Sequence, residues 1–368
     1  MKKRIIHIVL GKANPERQNG VNKVVNSVLH YQVANGFRAE LWGITFSIEE
    51  NWPARNYSTR LFADAKNKFK LDPQLVKALH ALDPNDTIVH LHGVFLPQMY
   101  RISRELKAYN IPYFFTPHGG YNLKALEKSK WRKRFYIQFF EKQLVNNAHG
   151  VQLLGKSEND GFQKYFKNKT FLIPNGQEPM AVLPLEEKKA QLKIGFIGRI
   201  DIHTKGLDYL LEGLRMAKQH LNIELEIVGA GGEIAALKNM VQAYEIDDCV
   251  TFKGALFGND KFEALRQWDA LCLVSRNEGL PGVVLEAASV GVPAIVSEAT
   301  NMGDYIRQYK SGWVLKEHSG KGILERINDL NESKIQNRLK NYQYAAQAMV
   351  AEAFDWNRIV KQLVKAYE

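Results

Sequence analysis

The chain has little cysteine and no long apolar run, and these two features exclude several classes of protein. Of its 368 residues only Cys249 and Cys272 are cysteines, too few for a disulfide framework or a thiolate metal site, so we expect both to be reduced. No apolar stretch approaches the roughly 18 residues that a membrane span needs. The start, MKKRIIHIVLGK, has a basic flank but no small-residue cleavage site, so it predicts a first strand rather than a signal peptide.

Acidic residues are scarce in one half of the chain. The net charge is +11, and residues 1–180 hold 27 Lys and Arg against 14 Asp and Glu, whereas the remainder holds 23 against 25. This asymmetry predicts that the first half faces something anionic: nucleic acid, a membrane surface or a charged substrate. The charge is scattered over many segments and no recognised reader motif occurs, which argues against nucleic acid.

Short β-rich runs alternate with helical periodicity throughout the chain. Segments such as VNKVVNSVLHYQVANGF and GLDYLLEGLRMAKQH are apolar at three- and four-residue spacing. Such alternation predicts an α/β protein with parallel sheets and helices on both faces. The one compositional break, residues 175–191, separates two sets and so predicts two Rossmann-like domains. The runs are IIHIVL, AELWGIT, TIVHLHG, PYFFTPHG, GVQLLG and TFLIPNG before the break, and LKIGFIG, IELEIVGAG, CVTFKGA, ALCLVS, PAIVS and GWVL after it.

Strand-to-helix junctions are the expected ligand sites, because helix N-termini present free N–H groups to phosphate. IGFIGRIDIHTKGLDYLL offers Arg199 and Lys205 at one junction. Arg gives planar bidentate bonds and Lys a mobile point charge, which suits a diphosphate; the alternative is two solvated loop cations. VGAGGE, residues 228–233, is a second Gly-rich junction that either approaches a ligand closely or serves simple turn chemistry.

The stretch RNEGLPGVVLEAASVGVPAIVS, residues 276–297, places two carboxylates eight positions apart. We predict Glu278 in a loop after a buried strand, Pro281 in the first helical turn, and Glu286 in the helix, ~12 Å away along its axis. This separation resembles that between the sugar and the ribose of a folded nucleotide diphosphate sugar, and each carboxylate accepts from a pair of hydroxyls. The alternative is a helix-entry acid and a surface acid, but an unpartnered Glu286 amid VVLEAASV is costly.

Four segments in this order, GRIDIHTKGLDYLLEGL, VGAGG, NEGLPGVVLEAASVGVPAIVS and SGWVL, resemble the nucleotide-binding half of the retaining glycosyltransferases of family 4. IPNG resembles the end of their first domain, and FDWNRIVKQLVKAYE resembles their closing helix. The resemblance implies the GT-B fold, with two Rossmann-like domains facing each other across a cleft: an acceptor-binding domain at 1–178 and a nucleotide-sugar-binding domain at 179–350. Residues 351–368 would form a helix that packs back on the first domain, with Phe354, Ile359, Leu363 and Val364 on one face.

The resemblance also implies residue roles. Arg199 and Lys205 are assigned to the donor diphosphate, Glu286 to the ribose and Glu278 to the donor sugar as a catalytic residue. Further contacts come from the backbone: sugar or phosphate contacts from Gly279, Leu280, Gly282 and Val283, and nucleobase contacts from Gly254, Ala255 and Leu256.

Three features of the first half carry site predictions. TPHGGY matches the family position of a histidine near the transferred sugar, here His118; the alternative is a loop histidine that caps a strand end. The family's Gly-Gly pair after the first strand is QNGVNK here, so Asn19 replaces one glycine and Gly20 alone is assigned to the phosphates. His90 and His92 alternate on a strand with no third ligand evident, so we interpret them as structural or cleft-lining rather than as a metal site.

Residues 124–145, KALEKSKWRKRFYIQFFEKQLV, are basic and aromatic. As an amphipathic helix this segment would rest on anionic lipid head groups with Trp131, Phe135 and Phe139 at the interface. The alternative is a domain helix whose aromatic side chains face the sheet and whose cations are solvated.

The activity expected is transfer of a hexose, with retention, from a UDP- or GDP-linked sugar to a glycan or polyprenyl-linked acceptor in lipopolysaccharide, O-antigen, capsule or exopolysaccharide assembly. No Asp-x-Asp triplet occurs, so we expect no metal or cofactor, and positive side chains and a helix N-terminus would stabilise the leaving group. Alternatives are a GT-B epimerase or phosphorylase and a nucleic-acid-binding protein. A nicotinamide dehydrogenase is disfavoured because no complete G-x-G-x-x-G occurs with an acid some 20 residues later. We expect a cytoplasmic location, peripheral at the inner face of the cell membrane.

Overall fold

A computed structural model describes residues 3–14, 20–50, 52–127, 130–178, 180 and 191–368. The chain divides into two compact units, unit 1 (Met1–Gly176 with Trp356–Glu368) and unit 2 (Gln177–Asp355). The divisions therefore fall two residues before the predicted boundary at 178 and five residues after the predicted boundary at 350. Most of the predicted break at 175–191 lies outside the described residues.

Unit 1 is built on a parallel sheet, with the strand order β3-β2-β1-β4-β5-β6-β7 in its described part. Its strands are β1 Arg4–Leu10, β2 Arg38–Thr45, β3 Ser58–Ala63, β4 Thr87–His92, β5 Tyr113–Thr116, β6 Gly150–Leu153 and β7 Thr170–Leu172. Its helices are α1 Gly20–Ala34, α2 Pro73–His80, α3 Pro97–Ala108, α4 Leu123–Glu127, α5 Lys130–Tyr136, a π-helical turn Ile137–Glu141, α6 Lys142–Asn147, α7 Lys156–Gln163 and the C-terminal α16 Trp356–Ala366.

Alternate residues of the central strands enter two apolar layers, one on each face of the unit 1 sheet. On β1, Ile6 and Ile8 join one layer, while Ile5 and Val9 join the other. Burial on both faces explains why such strands appear in the sequence as continuous apolar runs.

The C-terminal helix completes the second of these layers. Ile359, Val360 and Leu363 of α16 pack with Val25 and Leu29 of α1. A Cβ at Gly176 would lie 2.4 Å from the Trp356 ring, so that close approach requires glycine. The predicted apolar face was wrong in one member: Phe354 precedes α16 and lies in the core of unit 2.

Unit 2 repeats the architecture, with strand order β10-β9-β8-β11-β12-β13 in its described part. Its strands are β8 Leu192–Ile197, β9 Ile223–Val228, β10 Val250–Gly254, β11 Ala270–Leu273, β12 Ala294–Val296 and β13 Gly312–Val314. Its helices are α8 Ile202–Lys205, α9 Leu207–Lys218, α10 Ile234–Ala243, α11 Gly258–Arg266, α12 Gly282–Ser289, a 3₁₀ turn Glu298–Thr300, α13 Gly303–Tyr309, α14 Gly320–Ile335 and α15 Leu339–Ala353.

The strand pairs in the described parts of both sheets are parallel, as the alternation of β-rich and helical segments predicted. Both orders place the first strand of the unit next to its fourth, β1 beside β4 and β8 beside β11. The order in which successive strands are added to the sheet reverses at these pairs. A crevice therefore opens beyond the carboxyl ends of the two strands.

Candidate functional site

The loops after β8 and β11 meet at the switch point of unit 2. The first loop contains Arg199 and Lys205, and the second contains Glu278. The Arg276 N–H donates to the Thr204 carbonyl at 2.8 Å, which joins the two loops directly. The predicted phosphate cations and the first of the two predicted carboxylates are therefore brought to one edge of one sheet.

The loop after β8 is held by two acids. Asp201 caps α8 by accepting from the Thr204 N–H at 2.9 Å, and it also accepts from Arg199 at 3.2 Å. Glu233 accepts from the Ile202 N–H at 2.6 Å. The Arg199 side chain stays 69% exposed, so its guanidinium is accessible to a ligand anion.

Lys205 contacts Glu278 directly. Its Nζ donates to Glu278 Oε1 at 2.6 Å, and the two side chains are only 18% and 15% exposed. The next residue, Gly206, has φ +68°, and a Cβ there would lie 2.3 Å from the Val274 carbonyl oxygen. Only glycine allows the backbone at position 206 to lie so close to the residue that follows β11. This close packing places Lys205 beside the end of β11.

The loop that carries Glu278 is fixed by groups that the sequence analysis did not single out. Ser275 Oγ donates to Glu278 Oε1 at 2.8 Å. Asn301 Nδ2 donates to the carbonyls of Glu278 and Gly279 at 3.0 and 2.6 Å, and the Glu278 N–H donates to Ala299. Ser275 and Asn301 therefore hold the carboxylate and its backbone in place.

The N-terminus of α12 is open. Pro281, predicted in the first helical turn, is the N-cap, so the helix begins at Gly282, and no side chain in the described residues caps it. Nothing lies within 4 Å of a Cβ built at Gly282, while Leu280 and Val283 pack against the unit 2 core. The first N–H groups of α12 are thus placed to meet ligand oxygens.

Glu286 has a partner that the sequence analysis missed. Lys261 on α11 donates to Glu286 Oε1 at 2.7 Å, and the side chains are 13% and 23% exposed. This pairing explains how an acid persists in an otherwise apolar helix. Because a carboxylate accepts several hydrogen bonds, Glu286 retains capacity for a ligand hydroxyl.

Arg276 fixes the approach of the β11 loop to α9. Its guanidinium makes two bonds to Asp208, both 2.7 Å, donates to the His203 carbonyl at 2.7 Å and lies 3.9 Å from the centre of the Tyr209 ring. Burial alone would raise the pKa of Asp208, but Arg276 outweighs it and the pKa is lowered. Arg276 therefore positions the loop rather than facing the open crevice.

The predicted nucleobase region follows β10. Gly254 has φ +70°, Ala255 is exposed and Leu256 is half-buried. The Gly254 carbonyl accepts from the Gly229 N–H at 2.8 Å, and a Cβ at Gly229 would lie 1.9 Å from the Gly198 carbonyl oxygen. The glycines of VGAGGE thus allow close packing of neighbouring loops.

In unit 1, Gly20 begins α1 with open space where a Cβ would be. Asn19, which was predicted to replace the family's first glycine, lies outside the described residues. The phosphate role of Gly20 stays a prediction.

His118 meets a cluster of buried histidines from the two central strands of unit 1. His7 on β1 is in register with His90 on β4, and the rings of His90 and His92 stack at 4.4 Å. His92 Nδ1 lies 3.0 Å from His118 Nε2. His118 follows β5 with φ +52°, a backbone conformation unusual for a residue other than glycine.

His7 is the third histidine that the sequence did not reveal, and ligand atoms of His7, His90 and His92 all lie within 4.8 Å of one another. All six ring nitrogens of these three side chains are nevertheless hydrogen-bonded, to one another or to Gln32, Tyr367, Thr116 and His118. Stacked rings do not direct three lone pairs at one tetrahedral centre. The cluster therefore forms a polar network, in keeping with the structural interpretation of His90 and His92.

Two buried acids hold the loop after His118. Glu158 accepts from the Leu154 N–H at 3.0 Å, and the nearby backbone of Tyr121 and Gly119 also lowers its pKa; Glu141 accepts from the Tyr121 hydroxyl at 2.6 Å. Burial raises the pKa of each acid to about 7, against hydrogen bonds that lower it.

The basic aromatic segment packs on unit 1 through Ile137, Leu144 and Val145, as the alternative prediction of a domain helix requires, but three of its aromatic side chains do not face the core. Trp131, Phe135 and Phe139 are 79%, 61% and 52% exposed. With Phe69, at 40% exposed, they form what we call the aromatic surface. Phe69, Trp131, Arg132, Phe135, Tyr136 and Phe140 line a cavity of about 630 Å³.

None of the helices in the described part of the chain is both long and apolar enough to span a bilayer.

Comparison with known proteins places both units in one family. Residues 18–179 match the Glycosyltransferase Family 4 model, and residues 181–349 match the model for Glycosyl transferases group 1. An uncharacterized glycosyltransferase of Haemophilus influenzae is 32% identical over 314 residues, which is 82% of each chain. The chain belongs to glycosyltransferase family 4.

This family 4 glycosyltransferase also resembles proteins of narrower description. An amylovoran biosynthesis glycosyltransferase, AmsK of Erwinia amylovora, is 27% identical over 48% of this chain and 44% of its own. HepE of Anabaena, solved in complex with UDP and glucose, superposes with a TM-score of 0.72 at 16% identity, covering 99% of this chain and 98% of its own. The two parallel-sheet units are those of a GT-B enzyme, as the sequence predicted.

Proposed function

We propose that this glycosyltransferase moves a hexose, with retention, from a UDP- or GDP-linked sugar to a hydroxyl of a glycan or polyprenyl-linked acceptor. The observation that carries the proposal is the Lys205–Glu278 contact beside the open N-terminus of α12. A cation, a carboxylate and free N–H groups at one switch point suit the diphosphate and the hydroxyls of a nucleotide sugar.

The donor roles that we propose combine this geometry with the family resemblance. Lys205, the exposed Arg199 and the first amides of α12 bind the diphosphate, and Glu278 accepts from the sugar hydroxyls. Glu286, oriented by Lys261, binds the ribose, and the nucleobase lies along Gly254–Leu256. In this proposal Lys205 and Glu278 lie in contact because they bind adjacent parts of one donor.

The chemical step is a front-face substitution. The bond from the anomeric carbon to the diphosphate oxygen breaks, the acceptor oxygen bonds to the same face, and the acceptor proton passes to the leaving diphosphate. The developing negative charge is stabilised by Lys205, Arg199 and the α12 dipole, which is the term expected to dominate. With these groups in place, we propose that no metal and no cofactor is required. His118 is proposed to act near the transferred sugar.

The acceptor and the location are inferred from the positive charge of unit 1 and from the similar proteins. The amylovoran relative supports a role in surface polysaccharide assembly, whether lipopolysaccharide, O-antigen, capsule or exopolysaccharide. The aromatic surface adjoins Arg132, Arg134 and Lys68, and Lys68 lies 4.2 Å from the Phe46 ring. Exposed aromatic side chains beside cations suit the head-group region of an anionic bilayer, so we propose a cytoplasmic enzyme peripheral to the membrane.

The test is a transfer and hydrolysis screen with UDP-, GDP-, ADP- and dTDP-sugars, with and without EDTA, with the product anomer assigned by NMR. We expect turnover with a UDP- or GDP-sugar that resists EDTA and gives the donor's anomeric configuration. Lys205→Ala should abolish it, whereas Lys218→Ala, an exposed lysine of α9, should not.

Several outcomes would overturn parts of this proposal. An inverted anomer excludes the front-face step, and activity lost to EDTA and restored by Mn²⁺ excludes metal independence. An epimerised sugar nucleotide or phosphorolysis would identify the alternative GT-B activities. Nucleotide diphosphate affinity unchanged by both Glu286→Ala and Lys205→Ala would favour the nucleic-acid-binding alternative.

A further inference from the structure

A row of hydrogen bonds runs from the interior of unit 1 to His118. Gln32 Oε1 lies 2.9 Å from His7 Nε2, and His7 Nδ1 lies 2.9 Å from His92 Nε2. His92 Nδ1 then lies 3.0 Å from His118 Nε2. The row therefore has three links and three imidazoles, of which His7 and His92 are buried.

Burial keeps these rings neutral. It lowers the pKa of His7 to about 4, against the hydrogen bond to Gln32 Oε1 that raises it, lowers the pKa of His118, and lowers that of His92 well below its ordinary value. A neutral imidazole carries one N–H and one lone pair. Each of the three links then holds one proton, and all three protons must point the same way along the row, either from His118 towards Gln32 or from Gln32 towards His118.

A second row of hydrogen bonds determines the direction in which these protons point. The Ile173 carbonyl can only accept, so the Gln152 amide must turn Nε2 towards it, at 3.0 Å, and Oε1 towards Thr116 Oγ1, at 2.8 Å. The Thr116 hydroxyl then donates to Gln152 and accepts from His90 Nε2, at 2.6 Å. His90 Nδ1 is left as a lone pair, to which the Tyr367 hydroxyl donates at 2.5 Å.

Gln32 couples the two rows. Its Nε2 is buried and makes no full hydrogen bond among the described residues, while the Gln32 side chain lowers the pKa of Tyr367 against the larger, opposite effect of burial, as an N–H beside that oxygen would. Because Tyr367 donates to His90, its oxygen favours the amide N–H₂ of Gln32. That orientation turns Gln32 Oε1 towards His7, so His7 donates from Nε2 and accepts at Nδ1.

We propose that this network, from the Ile173 carbonyl through Tyr367 and Gln32, fixes His118 as the Nε2–H tautomer and presents its Nδ1 as a hydrogen-bond acceptor. His7, His92, Gln32 and Tyr367 are positioning residues. Only the consequence for catalysis rests on the proposed function, in which His118 acts near the transferred sugar.

Four strands contribute side chains to this network, β1, β4, β5 and β6, together with Gln32 of α1 and Tyr367 after α16. His118 also has a left-handed backbone, and the backbone of Gly119 and Tyr121 that follows it faces the buried Glu158 carboxyl and lowers its pKa. The structure gives His118 Nδ1 no partner among the described residues. A fixed tautomer makes that atom a constant acceptor for a hydroxyl, whereas an averaging imidazole would be a donor part of the time.

The tautomer is measured directly on ¹⁵N-histidine-labelled full-length protein by two-bond ¹H–¹⁵N correlation, with His118→Gln assigning the signal. We expect a protonated Nε2 and an unprotonated Nδ1 between about pH 6 and 8, without averaging. Gln32→Leu should convert the His118 signals to averaged shifts. Tyr367→Phe, which removes one hydroxyl and keeps the ring, should shift the His118 signals part of the way towards averaged values. This variant provides the test if Gln32→Leu does not fold. His149→Gln, an exposed histidine of the same unit, should leave the His118 signals unchanged.

An Nδ1–H form or averaged shifts in the wild type would overturn the proposal. So would a fixed Nε2–H form that persists in both network variants. These readouts need no substrate, so they stand whether or not the proposed transfer is found.

Kinetics test the consequence separately. Where the wild type transfers sugar, Gln32→Leu or Tyr367→Phe should lower kcat by about tenfold, the rate equivalent of one modest hydrogen bond. Nucleotide diphosphate affinity should not change, because those groups lie in unit 2. An averaged tautomer with wild-type kcat would overturn the positioning role. Absence of transfer by every form would contradict the proposed function and leave the tautomer assignment intact.

Discussion

Glu278 and Glu286 are held by different cations, and this difference separates their expected roles. Glu286→Ala removes the proposed ribose acceptor and should weaken UDP or GDP binding by about ten- to hundredfold, the value of a hydrogen bond to a charged group. Glu278→Ala instead frees Lys205 for the diphosphate, so nucleotide affinity should hold or rise while kcat falls. Calorimetry of nucleotide binding and initial rates measure the two effects.

Glu325→Ala is the matched control, because Glu325 is a partly exposed acid of unit 2 that pairs with neighbouring Arg326. It should change neither quantity. Equal losses of affinity and turnover in both site variants would contradict the division of roles that their spacing suggested.

Residue types at the donor site could be predicted from the sequence, but their partners could not. The Glu278–Glu286 spacing and the cations Arg199 and Lys205 are visible because they lie on one strand-to-helix junction each. Lys261 is 25 residues from Glu286 and 56 from Lys205, and its pairing depends on how α11 packs beside α12. His7 likewise joins His90 only through sheet register, which a single sequence does not display.

At the scale of elements, the π-helical turn Ile137–Glu141 ends on an acid with no exposed surface. Glu141 accepts from the Tyr121 hydroxyl at 2.6 Å and the Phe95 N–H at 3.3 Å. Burial raises its pKa from 4.5 to about 7. Between these two values the folded protein binds more protons than the unfolded chain, so the free energy of unfolding falls as pH rises and then levels off.

Glu141→Gln keeps an accepting oxygen but cannot ionise. Relative to wild type, its free energy of unfolding should therefore increase by roughly 3 kcal/mol between pH 5 and pH 8, about 1.36 kcal/mol per pKa unit. Urea denaturation at several pH values measures this difference. Glu127→Gln, an exposed acid of the same unit, should show no such trend, and parallel curves for wild type and Glu141→Gln would contradict the burial effect.

Most elements could be predicted because parallel strands buried on both faces leave continuous apolar runs. All six runs of the second half correspond to β8–β13. In the first half β3, STRLFA, was missed because it lies at the sheet edge with mainly exposed or half-exposed side chains. The segment at 124–145 was predicted as one helix; it begins within α4 and is continuously helical from Lys130, with a π-helical turn between α5 and α6 that apolar spacing alone does not display.

At the scale of the whole molecule, excess positive charge and exposed aromatic side chains occur in the same unit. Trp131 and Phe135 belong to the segment that also supplies Arg132, Lys133 and Arg134. This combination predicts binding to anionic bilayers through both charge and apolar burial, and the charge part should weaken with salt because exposed charges are screened over about 10 Å at 0.1 M.

Vesicle co-sedimentation with phosphatidylglycerol and with phosphatidylcholine measures this binding. Wild type should prefer the anionic vesicles, and Trp131→Ser with Phe135→Ser should weaken binding by at least about tenfold, because burying one large apolar side chain contributes roughly 1.5–3 kcal/mol. Ile335→Ser, which alters an equally exposed apolar residue of unit 2, should leave binding unchanged. Equal binding to both vesicle types, or equal loss in the Ile335 variant, would mean that the aromatic surface does not face a membrane, and that the positive charge of the first half serves the acceptor instead.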